Sequence, residues 1–244
     1  EALNGLMSSS LPAALGVIPM GSGNLLGTDL GLPQNAAAAA QALLRYRPRG
    51  ILPGVMTSQS RSGPEKRYFI VAAGVGSDAE LMYRTAVEAK ERWGRNAYFI
   101  EMGRMALHGN YPLFQVEWED QAGKRTIEPA SLVMAIRATR FPGLLRLVNL
   151  GSSVTRNDYR LLLFRTGKVR HFMQYFTSVA TGLNWKVPQV GVVRSNWFRC
   201  TALETPTIHA QADGELLGRV PVEVGIGEKA FRLLMAPDAA PSSI

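Results

Sequence analysis

The chain of 244 residues has one cysteine, Cys200, so it has no internal disulfide framework, Cys-based zinc cluster or CxxC redox pair. Histidine is almost as scarce: His108, His171 and His209 stand far apart and give no zinc-ligand spacing. Charge is thin at 19%, against 46% hydrophobic residues, so a sizeable core is available and most of the chain is not disordered. No long apolar run is present. Ala2 to Thr28 carries no charge, but Gly5, Ser8–Ser10, Pro12, Gly16, Pro19 and Gly21–Asn24 interrupt it. A membrane span needs about 20 mainly apolar residues, and a secretory signal opens on basic residues rather than on Glu1. The stretch therefore reads as neither. Any chemistry falls to carboxylates, glycines and bound ions.

What is present divides into two textures. The first fifty residues read as α/β: an apolar strand at Leu15–Pro19, a glycine turn at Met20–Asn24, a short helix at Leu25–Leu30, and an alanine-rich helix at Asn35–Arg45 capped by Asn35. Pro48-Arg-Gly50 would end that helix, and Ser58–Lys66 reads as a hairpin turn. Arg67–Ala73 is a run consistent with one buried strand, and Asp78–Arg92 and Asn96–His108 read as helices. From Leu113 onward strands recur: Leu113–Trp118, Ser131–Ala138, Tyr159–Arg165, Val190–Ser195, Phe198–Ala202, Thr207–Ala212, Val220–Gly225 and Phe231–Met235. One helix, Val169–Leu183, interrupts them. This spacing predicts a β-sandwich or barrel-like unit with helical insertions.

Four short constellations could carry chemistry, and each also has a purely structural reading. The Gly16–Leu30 strand, glycine turn and helix could cradle an anion on backbone N–H groups, with Ser22 and Asn24 as added donors. Such a turn is also common in any α/β protein. Asp213-Gly214-Glu215 offers two carboxylates, one to face a metal and one to take a proton, although Asp-Gly is also a favoured hairpin turn. Asp78 follows Gly74-Val-Gly-Ser77 at a strand end, where it could meet a polar ligand or cap a helix. Arg156-Asn-Asp158 is a turn that could hold a cation with nearby carbonyls.

Taken in order, these segments resemble the diacylglycerol kinase catalytic-domain family, which includes bacterial lipid kinases and sphingosine and ceramide kinases. Glu1-Ala-Leu-Asn-Gly-Leu6 looks like the helix that follows the family's GGDGT loop. Gly16-Val-Ile-Pro-Met-Gly-Ser-Gly-Asn24 resembles its G-x-x-P-x-G-[TS]-G-N segment, with Leu30-Gly-Leu-Pro33 after it. Arg67–Ala79 is similar to the strand and G-x-D-A turn that open the second domain, and Asp213–Glu223 to the closing DGE-x-x-G-x-x-P-V-E signature.

The resemblance implies an ATP-dependent lipid kinase acting on diacylglycerol or a related lipid alcohol. Its fold would be α/β plus β: the remnant of an α/β nucleotide-binding domain over residues 1–50, a β-sandwich over 51–237, and a tail over 238–244. Gly21, Ser22, Gly23 and Asn24 would touch the nucleotide phosphates, Glu215 would be the general base and Asp213 its support, and Asp78 would face the acceptor. Asp158 would bind a structural Mg2+, helped by the carbonyls of Thr155 and Arg160. The chain opens after the expected place of the GGDGT loop, so these residues alone are expected not to turn over. Tyr159 replaces a family glycine, and Leu25 stands where bacterial members often have Asp, which leaves the acceptor class open.

The net charge is +8, and Arg137, Arg140, Arg146, Arg156, Arg160, Arg165, Lys168 and Arg170 fall in one stretch with interleaved apolar residues. Such a surface suits an anionic bilayer, and a solvated face above core aromatics is the alternative. No nucleic-acid motif accompanies the charge, so nucleic acid ranks behind lipid. The expected setting is cytoplasmic, peripheral at the inner face of the membrane, with a homodimer left open. The rival readings are a non-catalytic lipid-binding or regulatory β-sandwich module and a NAD kinase-like small-molecule kinase.

Overall fold

The computed structural model describes residues 1–9, 11–21, 24–60, 63–77, 79, 111–139, 152–181, 186–203 and 207–237. Three sheets organise them. Two are six-stranded, in the orders β10-β9-β8-β5-β12-β13 and β4-β3-β14-β11-β6-β7, and the third is three-stranded, β1-β15-β2. The strands are β1 (Ala14–Leu15), β2 (Arg47–Ile51), β3 (Gly54–Ser60), β4 (Gly63–Phe69), β5 (Ala72–Gly76), β6 (Phe114–Glu119), β7 (Arg125–Ala130) and β8 (Leu132–Ile136). They continue with β9 (Tyr159–Phe164), β10 (Val190–Ser195), β11 (Trp197–Ala202), β12 (His209–Ala212), β13 (Glu215–Arg219), β14 (Val222–Ile226) and β15 (Phe231–Met235). The described helices are α1 (Ala2–Ser8), α2 (Leu25–Asp29), α3 (Ala36–Leu43) and α4 (Val169–Thr181).

The two large sheets form a sandwich. Met56, Val116, Phe198 and Val224 from one sheet share a buried core with Ala73, Val75, Val133, Ala135, Leu161 and Leu163 from the other. Alternation explains this core: in β8, Val133 and Ala135 face inward while Leu132 and Ile136 face out and pack under Phe172 of α4. The apolar run Leu161–Phe164 is buried on both faces for the same reason, since α4 covers the outer one. Tyr159 also lies in the core, stacked on Phe69 at 5.9 Å, and its hydroxyl donates to the carbonyl of Gly225 in the opposite sheet.

The third sheet and its helices bury a second core, in which Leu3 and Met7 of α1, Ala39 of α3 and Ile51 meet Phe231, Leu233 and Met235. The last strand therefore returns to the N-terminal unit. β15 runs parallel to β1 and antiparallel to β2, whereas the sequence pattern assigned Phe231–Met235 to the sandwich.

Several expectations hold to within a few residues. Asn35 caps α3, its Oδ1 accepting from the N–H of Ala38 at 3.0 Å, and Val190–Ser195 and Phe231–Met235 match in full. Four strands were not anticipated. Pro48-Arg-Gly50 lies inside β2 rather than simply ending a helix, β3 and the start of β4 take up most of the turn expected over Ser58–Lys66, and β7 and β13 fill stretches given no strand. The Arg67–Ala73 run is not one strand: β4 ends at Phe69 in one sheet and β5 starts at Ala72 in the other. The helices expected over 78–92 and 96–108, and the tail at 238–244, lie outside the described residues.

Candidate active site

The break between β4 and β5 leaves the N–H groups of Ile70, Val71 and Ala72 at a sheet crossing, where the β4 and β5 ladders do not meet. Buried backbone donors must find acceptors. Asp213 supplies them. Its Oδ2 accepts from Ile70 at 2.7 Å, and its Oδ1 accepts from Val71 at 2.8 Å and Ala72 at 3.1 Å. The N–H of Asp213 returns a bond to the carbonyl of Ala72 at 2.8 Å.

Asp213 and Gly214 form the two-residue loop between β12 and β13, with φ of +49° and +87°. That geometry is the hairpin turn for which Asp-Gly is preferred. Gln211 Oε1 accepts from the N–H of Gly214 at 3.0 Å and closes the loop from below. The tip of the turn is exposed, while the carboxylate folds inward. Burial pushes the Asp213 carboxyl above its ordinary value, and the three N–H bonds and the charge of Arg137 pull it back. Both oxygens are thus occupied by backbone. The geometry gives Asp213 the work of fixing the turn, where the sequence suggested support for a metal or base network.

Glu215 follows at the start of β13, its side chain 54% exposed. It faces a cleft of about 50 Å³ lined by Glu1, Leu3, Asn4, Arg67, Tyr68, Ala212, Asp213 and Leu217 as well. The amino group of Glu1 stands 3.8 Å from its Oε1. Helix α1 is held at this cleft by Asn4: its Nδ2 donates to the carbonyl of Tyr68 at 3.0 Å, and its Oδ1 accepts from the N–H of Tyr68 at 2.8 Å. An amide side chain thereby pairs with β4 as a strand residue would. Two segments far apart in sequence, Glu1–Leu6 and Asp213–Glu215, meet at one site.

The glycine turn is described only in part. Asn24 has φ of +47°, and its Oδ1 accepts from the N–H of Gly21 at 2.8 Å, closing the turn ahead of α2. Neither Gly21 nor Asn24 lines the cleft at Glu215. Ser22, Gly23 and Asp78 lie outside the described residues.

Asp158 occupies a different place, on the turn before β9. Arg156 grips it through Nε at 2.9 Å and Nη2 at 3.0 Å. Arg194 of β10 reaches its Oδ2 through Nε at 3.0 Å and Nη2 at 2.6 Å, and Gln121 Nε2 donates to the same oxygen at 3.3 Å. Thr155 places its hydroxyl 2.9 Å from that of Ser153, and Arg160 lies within β9 between Ile136 and Arg194. A structural Mg2+ would take oxygen ligands in an octahedron. This donor set does not fit one, because its single carboxylate is already bonded to two guanidiniums. Among the described residues no group of three or more His, Cys, Asp or Glu could hold a metal ion.

The basic stretch also reads differently once folded. Arg137 is 0% exposed, and Arg156 and Arg165 are spent on Asp158 and Glu128. These three cannot form a membrane-facing patch as expected, and Arg140 and Arg146 lie outside the described residues. Sequence reasoning took Arg137 for a surface cation and passed over Asn4 and Arg194. A clue was available for Arg137, which follows the apolar run Leu132–Ile136 directly, and for Asn4, the amide within an otherwise apolar or glycine segment.

Residues 1–54 match the family model of the diacylglycerol kinase catalytic domain. The diacylglycerol kinase of Staphylococcus saprophyticus is 23% identical over 222 residues, covering 91% of this chain and 68% of its own length. That of Bacillus subtilis is 23% identical over 224 residues, with 91% and 69% covered. A solved structure from Bacillus anthracis str. Sterne, of a protein assigned as a diacylglycerol kinase, superposes with a TM-score of 0.69 at 18% identity. It covers 97% of this chain and 74% of that one, and at this identity the likeness speaks to the fold. The segment that matches the family model begins with the helix at Glu215's cleft, and the curated diacylglycerol kinases align along nine tenths of the chain, so the chain is similar to that family over most of its length.

Proposed function

We propose that the protein is a lipid kinase that transfers the γ-phosphoryl group of a magnesium nucleotide to the hydroxyl of diacylglycerol or a closely related lipid alcohol. The observation that carries this reading is the position of Glu215, an exposed carboxylate on a rigid turn at the cleft bordered by α1. Phosphoryl transfer asks the protein mainly to position the reactants and to accept one proton. In this reading Glu215 takes the acceptor hydroxyl proton as its oxygen bonds to the γ-phosphorus, and the bond from that phosphorus to the β–γ bridging oxygen breaks. Asp213 holds the turn so that the base keeps its place. The glycine turn at Gly21–Asn24 would meet the nucleotide phosphates, as the family resemblance implies.

No described helix is long and apolar enough to cross a membrane. A lipid acceptor would then be met from the surface of the bilayer, and a peripheral position at its cytoplasmic face, where the nucleotide is found, fits that need.

The test is phosphoryl transfer by the full-length gene product to diacylglycerol, a sphingoid base and ceramide in mixed micelles, comparing the natural sequence with Glu215→Gln. The expected result is transfer to diacylglycerol and a fall in kcat of about 10²–10⁴-fold in the variant, with the nucleotide KM nearly unchanged. Equal kcat would remove Glu215 from the base role. Vesicle binding with no transfer to any acceptor would favour a non-catalytic lipid-binding module.

A further inference from the structure

We infer that Arg137, Arg156 and Arg194 do at the 152–158 turn what a divalent cation would otherwise do, locking the turn to the sandwich through guanidinium groups and without metal. A cation site is built from carboxylate and carbonyl oxygens turned toward one centre. The turn has such oxygens, and arginines claim its carboxylate and two of its carbonyls. Arg156 and Arg194 hold the carboxylate of Asp158, which is only 13% exposed. Arg137 Nη2 donates to the carbonyls of Val154 at 2.9 Å and Arg156 at 3.0 Å. A second carboxylate, Asp120, lines a cleft together with residues 155–158, and its Oδ1 accepts from the N–H groups of Ala122 and Lys124, each at 2.9 Å.

Charge argues in the same direction. Two guanidiniums face the Asp158 carboxylate, so its negative charge is already more than matched before any ion approaches. A divalent ion would have to displace charge-assisted bonds as short as 2.6 Å and then repel the cations it displaced.

Arg137 also connects this lock to the cleft of Glu215. Its backbone N–H donates to the carbonyl of Val71 at 2.9 Å, in the segment whose N–H groups bind Asp213. The chain of contacts runs from the 152–158 turn through Arg137 and the sheet crossing to the turn that carries Glu215. Among the described residues Arg137 Nε and Nη1 have no hydrogen-bond partner, a cost consistent with a group held for its grip on the two carbonyls.

The inference is independent of the kinase reading, because its test uses unfolding and needs no turnover. The full-length protein is stripped with EDTA and its thermal midpoint is measured without nucleotide, then again in millimolar Mg2+ or Ca2+. A ligand that binds the native state raises the midpoint by mass action, so the expected result is a shift of less than about 1 °C. A saturable rise of several degrees that Asp158→Asn abolishes would overturn the inference. A rise that Asp158→Asn retains comes from an ion bound elsewhere and upholds it. Arg194→Met tests the lock directly, with an expected fall of about 2–4 °C in the metal-free midpoint. An unchanged midpoint in that variant would also overturn it.

Discussion

At the scale of single residues, the two carboxylates of the Asp213-Gly214-Glu215 turn divide their labour by orientation. Glu215 lines the cleft with its side chain half exposed, its Oε1 facing the amino group of Glu1. Asp213 points back into the protein and satisfies three backbone donors. An asparagine at position 213 would keep the positive φ and one acceptor oxygen, but it would set an NH2 group against an N–H of the sheet crossing. We expect Asp213→Asn to lower stability by about 1–3 kcal/mol as well as to slow turnover, because a buried donor loses its acceptor. Glu215→Gln should leave the unfolding midpoint where it is. Measuring midpoint and kcat side by side in the two variants separates a residue that builds the site from one that reacts. An Asp213→Asn protein of undiminished stability would return Asp213 to a chemical role.

At the scale of elements, most of the sandwich strands were legible because their apolar residues recur with the period of a strand and turn residues punctuate them. Three of the strands that escaped had a physical reason. β13 and β7 carry few buried residues on exposed sheet edges, so burial left little pattern to read. β2 contains Pro48 and Gly50, which local rules assign to a helix end, yet pairing with β15 overrides them. The Arg67–Ala73 run showed unbroken hydrophobicity because Ile70 and Val71 pack into the second core just where the chain changes sheets. Of the site, the DGE turn and the α1 segment could be read as motifs. Their meeting could not, since it depends on Asn4 pairing with Tyr68 across more than sixty positions. Just beyond the crossing, Gly76 ends β5 with φ of +93°, and a Cβ there would lie 2.2 Å from the carbonyl oxygen of Ser131. Backbone cannot yield as a flexible side chain can. Gly76→Ala should therefore cost at least about 2 kcal/mol, read as a lowered denaturation midpoint with an unchanged denaturant slope.

At the scale of the whole molecule, the chain begins and closes in the same unit. β15 lies between β1 and β2, so α1 and α3 share a core with a strand made after the entire sandwich. Leu233, fully buried at the centre of that strand, packs in one core with Leu3, Met7 and Ala39. The cleft at Glu215 sits where this core meets the sandwich, with α1 on one side and the β12–β13 turn on the other. The two parts share the 70–72 segment, whose side chains enter the second core and whose N–H groups bind Asp213. Removing the Leu233 side chain should cost about 2–5 kcal/mol, as for other large-to-small changes in a packed interior. The loss should fall unevenly. In Leu233→Ala, hydrogen-exchange protection should drop first across residues 1–51 and Phe231–Met235, while β8 and β9 keep theirs, because their contacts lie in the sandwich core and under α4. A uniform loss across both regions would mean that the N-terminal unit and the sandwich unfold as one cooperative body. Perturbations of the N-terminal unit would then reach the turn that carries Glu215 at full strength.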